Sequence, residues 1–306
     1  MVEKTRFLIT GGAGFIGSHI AKEIVTKGDV IIFDNLSVGN KKNVPAGCEF
    51  VLGDIRNKKD ISKAMKNVDI VFHNAAFVSI RGSFGKLQED IESNCIGTLN
   101  VLEKAADEGV KKIVFASSMA VYGEPQRLPV RESDPLNSVS PYGFSKAKSE
   151  MYCQIFEENK GLKSVILRYF NTYGMGQTPS PYVGVITTFI NQALKKKPLT
   201  IFGDGNQTRD FVWVEDIAQA NVLAAYSNVD GVFNVGSGIE ISINQLADMI
   251  IEHTGGTKVY LDNPSGEVSL MAADISKAKE FLDYSPKGEL KKVLPHLIDW
   301  WGNKNS

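Results

Sequence analysis

Residues 6–17 read Arg6-Phe-Leu-Ile-Thr10-Gly-Gly-Ala-Gly-Phe-Ile-Gly17. A short apolar run leads into Gly11, Gly14 and Gly17, which open an amphipathic segment over residues 15–25. Strand, glycine turn and helix in that order are the setting of a dinucleotide-binding fingerprint. Glycines let backbone approach a pyrophosphate, and a helix N-terminus offers unpaired N–H donors with partial positive charge. The G-x-x-G-x-x-G spacing is a variant of G-x-G-x-x-G, and a tight turn without ligand is the competing reading. A second apolar run, Val30-Ile-Ile-Phe33, weighs against that alternative because it ends in Asp34. A carboxylate about twenty residues past the glycines can hold ribose hydroxyls. It would repel a 2′-phosphate, so the sequence points to NAD rather than NADP.

Moving outward, strand and helix patterns alternate through the first half. This predicts an α/β fold with a parallel, doubly wound, Rossmann-type sheet. Residues 48–51 read as a third strand, followed by Gly53-Asp54-Ile55. Ile70-Val-Phe-His73 reads as a fourth, with Asn74-Ala75-Ala76 at its carboxyl end, where small residues let backbone come close to a cofactor. Residues 89–106 read as one long helix. Residues 112–117 form a fifth strand ending in Ser117-Ser118-Met119-Ala120-Val121-Tyr122-Gly123. Residues 123–141 read as a loop over the site, 142–159 as a helix and 164–168 as another buried strand. From Tyr169 loops lengthen and the alternation lapses. The chain therefore divides into a dinucleotide-binding domain, 1–168 with return segments from about 210–237, and a smaller α/β substrate lobe, 169–306. The polar tail from Gly302 is expected to fray.

Tyr142-Gly-Phe-Ser-Lys146 places a phenol and an ammonium one helical turn apart on one face. A phenol alone is a poor base at neutral pH, with a reference pKa of about 10. A nearby ammonium favours the phenolate, and such a pair can take a proton from a hydroxyl and return it. A solvated helix with this spacing is commonplace, so the motif gains its meaning from the glycine turn and Asp34.

Composition narrows the function. Hydrophobic residues make up 43% and the formal net charge is −1, so a sizeable core is available and no global field favours nucleic acid or anionic membrane. No apolar run reaches the ~18 residues of a membrane helix. The N-terminus leads straight into a strand without a signal-peptide pattern, which suggests the cytoplasm. Cys48, Cys95 and Cys153 are scattered, and His19, His73, His253 and His296 show no ligand spacing, so no metal is expected.

Thr10–Gly17, Asp34, Gly53-Asp54, His73-Asn-Ala-Ala76, Ser117-Ser118, Tyr142–Lys146 and Arg168-Tyr-Phe-Asn171 occur in the order seen in extended short-chain dehydrogenases/reductases. Across nearly its whole length the chain resembles the NAD-dependent nucleotide-sugar epimerases, most of all the UDP-glucose (UDP-galactose) 4-epimerases. The resemblance implies catalytic roles for Ser118, Tyr142 and Lys146. It implies cofactor contacts at Gly11, Gly14, Phe15, Ile16, Gly17, Asp34, Asn35, Asp54, Ile55, Ala75, Asn94, Tyr142, Lys146 and Tyr169, with Asp54 toward the adenine and Asn94 placing the tyrosine region. Substrate contacts fall on Ser118, Asn171, Val185, Phe202, Arg209 and Met271: Phe202 beside the base, Arg209 on the diphosphate, Met271 near the sugar C2. From the residues alone, Asn94 reads equally as a solvated polar residue and Met271 as core filler. A second diphosphate arginine usual in the family is missing from Asn263-Pro-Ser-Gly-Glu267. A homodimer through the helices over 89–106 and 142–159 is implied in the same way.

The activity expected is 4-epimerisation of a UDP-hexose through a 4-keto sugar, with UDP-N-acetylglucosamine or UDP-glucuronate as other substrates. Dehydratases and decarboxylases of this scaffold place an acid between the catalytic Ser/Thr and V-Y-G, where this chain has Met119 and Ala120. A serine hydrolase lacks both its G-x-S-x-G and a histidine. A non-catalytic NAD- or nucleotide-sugar-binding protein is the reading from another class, and intact Ser118, Tyr142 and Lys146 weigh against it.

Overall fold

The computed structural model describes residues 4–78, 82–177, 184–262 and 268–305. The chain begins with β1 (Arg6–Thr10), α1 (Phe15–Ile24), β2 (Asp29–Asp34), β3 (Glu49–Leu52), α2 (Lys58–Ala64) and β4 (Ile70–His73). It continues through α3 (Leu87–Asp90), a π-helical stretch (Ile91–Gly97), α4 (Thr98–Asp107), β5 (Lys112–Ser118), α5 (Pro141–Lys160) and β6 (Lys163–Tyr169). Next come β7 (Asn171–Tyr173), α6 (Val185–Leu194), β8 (Leu199–Phe202), β9 (Thr208–Trp213), α7 (Val214–Tyr226) and β10 (Gly231–Val235). The last elements are β11 (Glu240–Ser242), α8 (Ile243–Thr254), β12 (Lys258–Leu261), α9 (Ser276–Leu282) and α10 (Leu290–Asn305).

Among the described residues the large sheet has seven parallel strands in the order β10-β6-β5-β4-β1-β2-β3. Its inner strands are apolar on both faces because helices cover both. Phe7, Ile9, Val30 and Ile32 pack into one core layer, and Leu8, Ile31 and Phe33 into the other. The strand order reverses between β1 and β4, and ligands of open α/β sheets bind in the crevice at such a point. A third core, including Tyr173, Phe189, Ile201, Leu246, Leu294 and Trp301, lies among the elements after β6. There β11, β9 and β7 make a small mixed sheet, and β12 pairs with β8.

Two expectations are corrected. The helix read over 89–106 contains π-helical turns over Ile91–Gly97, where Asn94 is tied to neighbouring elements. Its side chain bonds both the N–H and the carbonyl of Phe77, and its own carbonyl accepts from Ser149 Oγ at 2.7 Å. The tail does not fray at Gly302: α10 runs to Asn305, with Lys304 Nζ over the rings of Trp300 and Trp301. The Pro-rich run past Gln177 and the arginine-less stretch at 263–267 lie outside the described residues. No helix among the described residues is long and apolar enough to cross a membrane.

His73 ties β4 to β1 and α4, its ring nitrogens bonded to Thr10 Oγ1 (2.7 Å) and Thr98 Oγ1 (3.0 Å). Burial pulls its pKa down from 6.5 to about 3. The unfolded chain binds a proton on His73 below 6.5 and the folded chain only below about 3, so stability falls as pH falls through that window. At about 1.4 kcal/mol per pH unit this is a few kcal/mol. Urea unfolding of wild type and His73→Gln between pH 7 and 4 checks it: the variant should lose less stability on acidification, and parallel curves would refute the assignment.

Candidate active site

The glycine turn lies at the sheet's switch point. A Cβ on Gly11, whose φ is +68°, would stand 2.7 Å from Ala75 N, and one on Gly17 would stand 2.3 Å from Gly11 O. Helix α1 begins at Gly14 without a side-chain cap, leaving its first N–H groups open to an anion. Phe15 and Ile16 form that first turn. Asp34 ends β2 buried, its carboxylate accepting from Ala13 N (3.0 Å) and Leu36 N (2.8 Å). Asn35 donates to Asp54 Oδ2 at 3.0 Å, and Arg56 beside Asp54 holds its carboxyl down to about 2. Ile55 is buried, and Ala75 N donates to Thr10 Oγ1 at 3.2 Å. Next to Gly11, the Asn74 side chain has both amide atoms buried and unpartnered. An uncapped helix, a backbone cradle that rejects a Cβ and an orphaned amide fit a bound dinucleotide.

Ser140 caps α5 by accepting from Gly143 N at 3.1 Å, and Pro141 stands in the first turn. A Cβ on Gly143 would meet Ala120 O at 2.2 Å, so the helix lies directly on the turn after β5. Tyr142, on that first turn, lies close enough to Ser118 for that hydroxyl to oppose the effect of burial on the phenol. Lys146, one turn on, donates to Ala116 O at 2.8 Å and lies over the Phe115 ring. The expectation that Lys146 holds the phenol down is not met by the protein alone. Burial pushes Tyr142 up to about 12 against the pull of Ser118, and burial also brings Lys146 down to about 8. Tyr169 is buried with its hydroxyl donating to Asn221 Oδ1 at 3.0 Å.

On the lobe side, Asn171 opens β7 with its Oδ1 buried and unpartnered. Val185 starts α6 and Phe202 ends β8, its carbonyl taken by Gln207 Nε2 at 2.7 Å. Arg209 is nearly buried on β9 and donates to Thr208 O at 2.6 Å. Met271 is 1% exposed and shares a core layer with Val121, Tyr122 and Val130, so it touches a ligand only as part of a packed wall.

Sequence reasoning missed the buried support behind α5. Arg168 forms a fork to Glu150 (2.9 and 2.6 Å) and donates to the Tyr122 hydroxyl at 2.8 Å, while Ser117 Oγ donates to Glu150. Glu150 stands four residues past Lys146, and that spacing is the signal that could have found it.

A doubly wound sheet with this glycine turn and a Ser118–Tyr142 contact beside Lys146 defines a dinucleotide-dependent enzyme of the short-chain dehydrogenase/reductase kind. Residues 7–236 match the NAD dependent epimerase/dehydratase family, and the chain belongs to that family. A Methanocaldococcus jannaschii protein, named provisionally as a UDP-glucose 4-epimerase, is 45% identical over 97% of this chain and 99% of its own length. A UDP-N-acetyl-alpha-D-glucosaminuronate decarboxylase of Bacillus cytotoxicus is 36% identical over 97% and 98%. The structure of Thermotoga maritima UDP-glucose 4-epimerase with UDP-glucose superposes with a TM-score of 0.95 at 36% identity, covering 99% of this chain and 100% of that one.

Tyr142→Phe keeps the ring and removes the hydroxyl expected to act as acid and base. The variant should retain wild-type amounts of NAD(H), not NADP(H), in nucleotide released by denaturation, while kcat falls by about 10²–10⁴-fold. A kcat within a few-fold of wild type would exclude Tyr142 as the base, and NADP(H) as the released nucleotide would refute the reading of Asp34.

Proposed function

We propose that the chain interconverts UDP-glucose and UDP-galactose at C4 through a 4-keto sugar. The observation that carries this reading is the Ser118–Tyr142 contact on a turn where Met119 and Ala120 supply no acid. That pattern suits removal and return of one hydroxyl proton. It suits water elimination or decarboxylation poorly, despite the decarboxylase among the relatives. Bound NAD supplies the acceptor that takes and returns the C4 hydride, and a positive charge that favours the phenolate. Tyr142 takes the proton of the 4-hydroxyl and gives it back, with Ser118 hydrogen-bonded to the same oxygen. Lys146 would hold the nicotinamide ribose of bound NAD.

The keto sugar must be offered back on its opposite face, so the lobe has to hold the nucleotide and leave the hexose free to turn. Arg209, with a planar fork suited to phosphate oxygens, grips the diphosphate. Phe202 flanks the base, while Asn171 and Val185 contact the substrate. In this reading residues 1–168 with 210–237 bind the dinucleotide, 169–306 bind the nucleotide sugar, and the enzyme works in the cytoplasm. Supplied with UDP-galactose, the protein should form UDP-glucose without added reductant. Met271→Ser should raise kcat/KM for UDP-N-acetylgalactosamine relative to UDP-galactose by roughly 10–200-fold. No turnover of UDP-galactose would overturn the activity, and an unchanged ratio would remove Met271 from the sugar site.

The working unit is a homodimer. Phe144, Met151 and Ile155 form one stripe of α5, Leu87 and Ile91 lie on the adjoining helix, and all five are 46–58% exposed. Exposed apolar side chains gathered on two adjoining helices in this way ask for a self-complementary partner. Light scattering should give twice the chain mass, and Phe144→Glu should halve it. A monomeric wild type at micromolar concentration would sink the proposal.

A further inference from the structure

Asp90 ends α3 where the π-helical stretch begins, with 1% of its surface exposed. One carboxylate oxygen accepts from Asn94 Nδ2 at 2.9 Å, and the other is buried without a hydrogen-bond partner. A buried carboxylate left half-solvated is costly and calls for a reason. Asn94 Nδ2 also reaches Ser145 Oγ at 3.1 Å, and Ser145 Oγ donates to Tyr142 O at 2.9 Å. Asp90 therefore begins a run of contacts that ends on the helical turn carrying Tyr142 and Lys146.

The charges around Lys146 come from several elements. Asp90, Cys153, Glu150 and Cys95 all act on the ammonium. Burial pushes both thiols up, so they stay uncharged. His73 is neutral, its pKa pulled down by burial and by Lys146. Glu150 is already occupied by Arg168 and Ser117. Asp90 is left as the carboxylate not bound to another cation; burial pushes its pKa up from the usual carboxylate range, and Ser145, Lys146 and Asn94 oppose that rise.

We propose that Asp90 is a positioning residue of the Tyr142–Lys146 pair: through Asn94 and Ser145 its carboxylate fixes the turn that presents Tyr142, and its negative charge acts on both side chains. The inference rests on the reading of Tyr142 and Lys146 as the acid–base pair. The charge has a definite sign of action. It favours the ammonium of Lys146 and disfavours the phenolate of Tyr142. Removing it lowers both pKa values, so both limbs of a bell-shaped rate profile move toward lower pH.

The experiment is the pH dependence of kcat with UDP-galactose for NAD-loaded wild type, Asp90→Asn, Asp90→Glu and Tyr142→Phe. Asp90→Asn should displace the whole bell to lower pH, while Asp90→Glu, which keeps the charge, should leave it in place. A uniform loss of rate in Asp90→Asn with an unshifted bell overturns the proposal, because packing alone would do that. If Asp90→Asn does not fold, Asp90→Ser, with room for a water on Asn94, carries the same test. Tyr142→Phe separates the two failures. An inactive Phe variant with an unshifted Asn bell refutes the role of Asp90 alone, and an active Phe variant refutes the acid–base reading as well.

Discussion

The site depends on how closely α5 lies against the end of β5. A methyl group at position 143 would stand 2.2 Å from Ala120 O, a separation that packed atoms do not tolerate. With hydrogen there instead, three residues spaced by four meet the strand end in turn. Tyr142 lies beside Ser118, Lys146 donates to Ala116 O, and Glu150 accepts from Ser117 and Arg168. The stripe follows from helical periodicity, and its reach follows from the missing side chain. Arg168 extends the same line to Tyr122 and, through the Tyr122 hydroxyl, to Asn234 on β10. The chemistry and the buried polar support thus share one helix face.

Asp34, Asp210 and Asp216 show how this fold usually treats buried carboxylates. Each accepts backbone N–H groups: Ala13 and Leu36 for Asp34, Ser237, Gly238 and Ala273 for Asp210, Lys287 and Gly288 for Asp216. Hydrogen bonds to a charged acceptor are worth about 1.5–3 kcal/mol, so each acid pins a loop that has no regular structure of its own. Asp90 differs in having a side-chain amide on one oxygen and nothing on the other.

Much of the sheet was legible because parallel strands covered on both faces leave unbroken runs such as Ile70–His73, and because the glycines at 11–17 mark a helix start with their own chemistry. The spacing of Tyr142 and Lys146 was visible, but their proton affinities were not. Those depend on desolvation by residues far along the chain, and desolvation outweighed the neighbouring charge. The π-helical stretch was hidden because the contacts of Asn94 there, with Phe77 and Ser149, are ones that no local period records. Strand β12 and helix α10, which carries Pro295 inside it, escaped notice because their order comes from packing and pairing with distant elements.

One of the two edge strands of the large sheet, β10, comes from far along the chain, after the lobe elements β7, β8 and β9 have intervened. Phe170 N donates to Val235 O, and Asn234 Nδ2 to Val130 O. Val130 also pairs with the segment around Ala273, through Val130 N to Ala272 O and Asp274 N to Val130 O. On a ribosome, where a chain emerges from its N-terminus, β6 therefore waits at an open sheet edge until residue 235 has been made. The loop carrying Val130 waits longer still, until residue 274. Through that interval a nascent chain holds its glycine turn complete while one flank of the sheet stays bare, and this is when it most needs shielding from its neighbours on the same message.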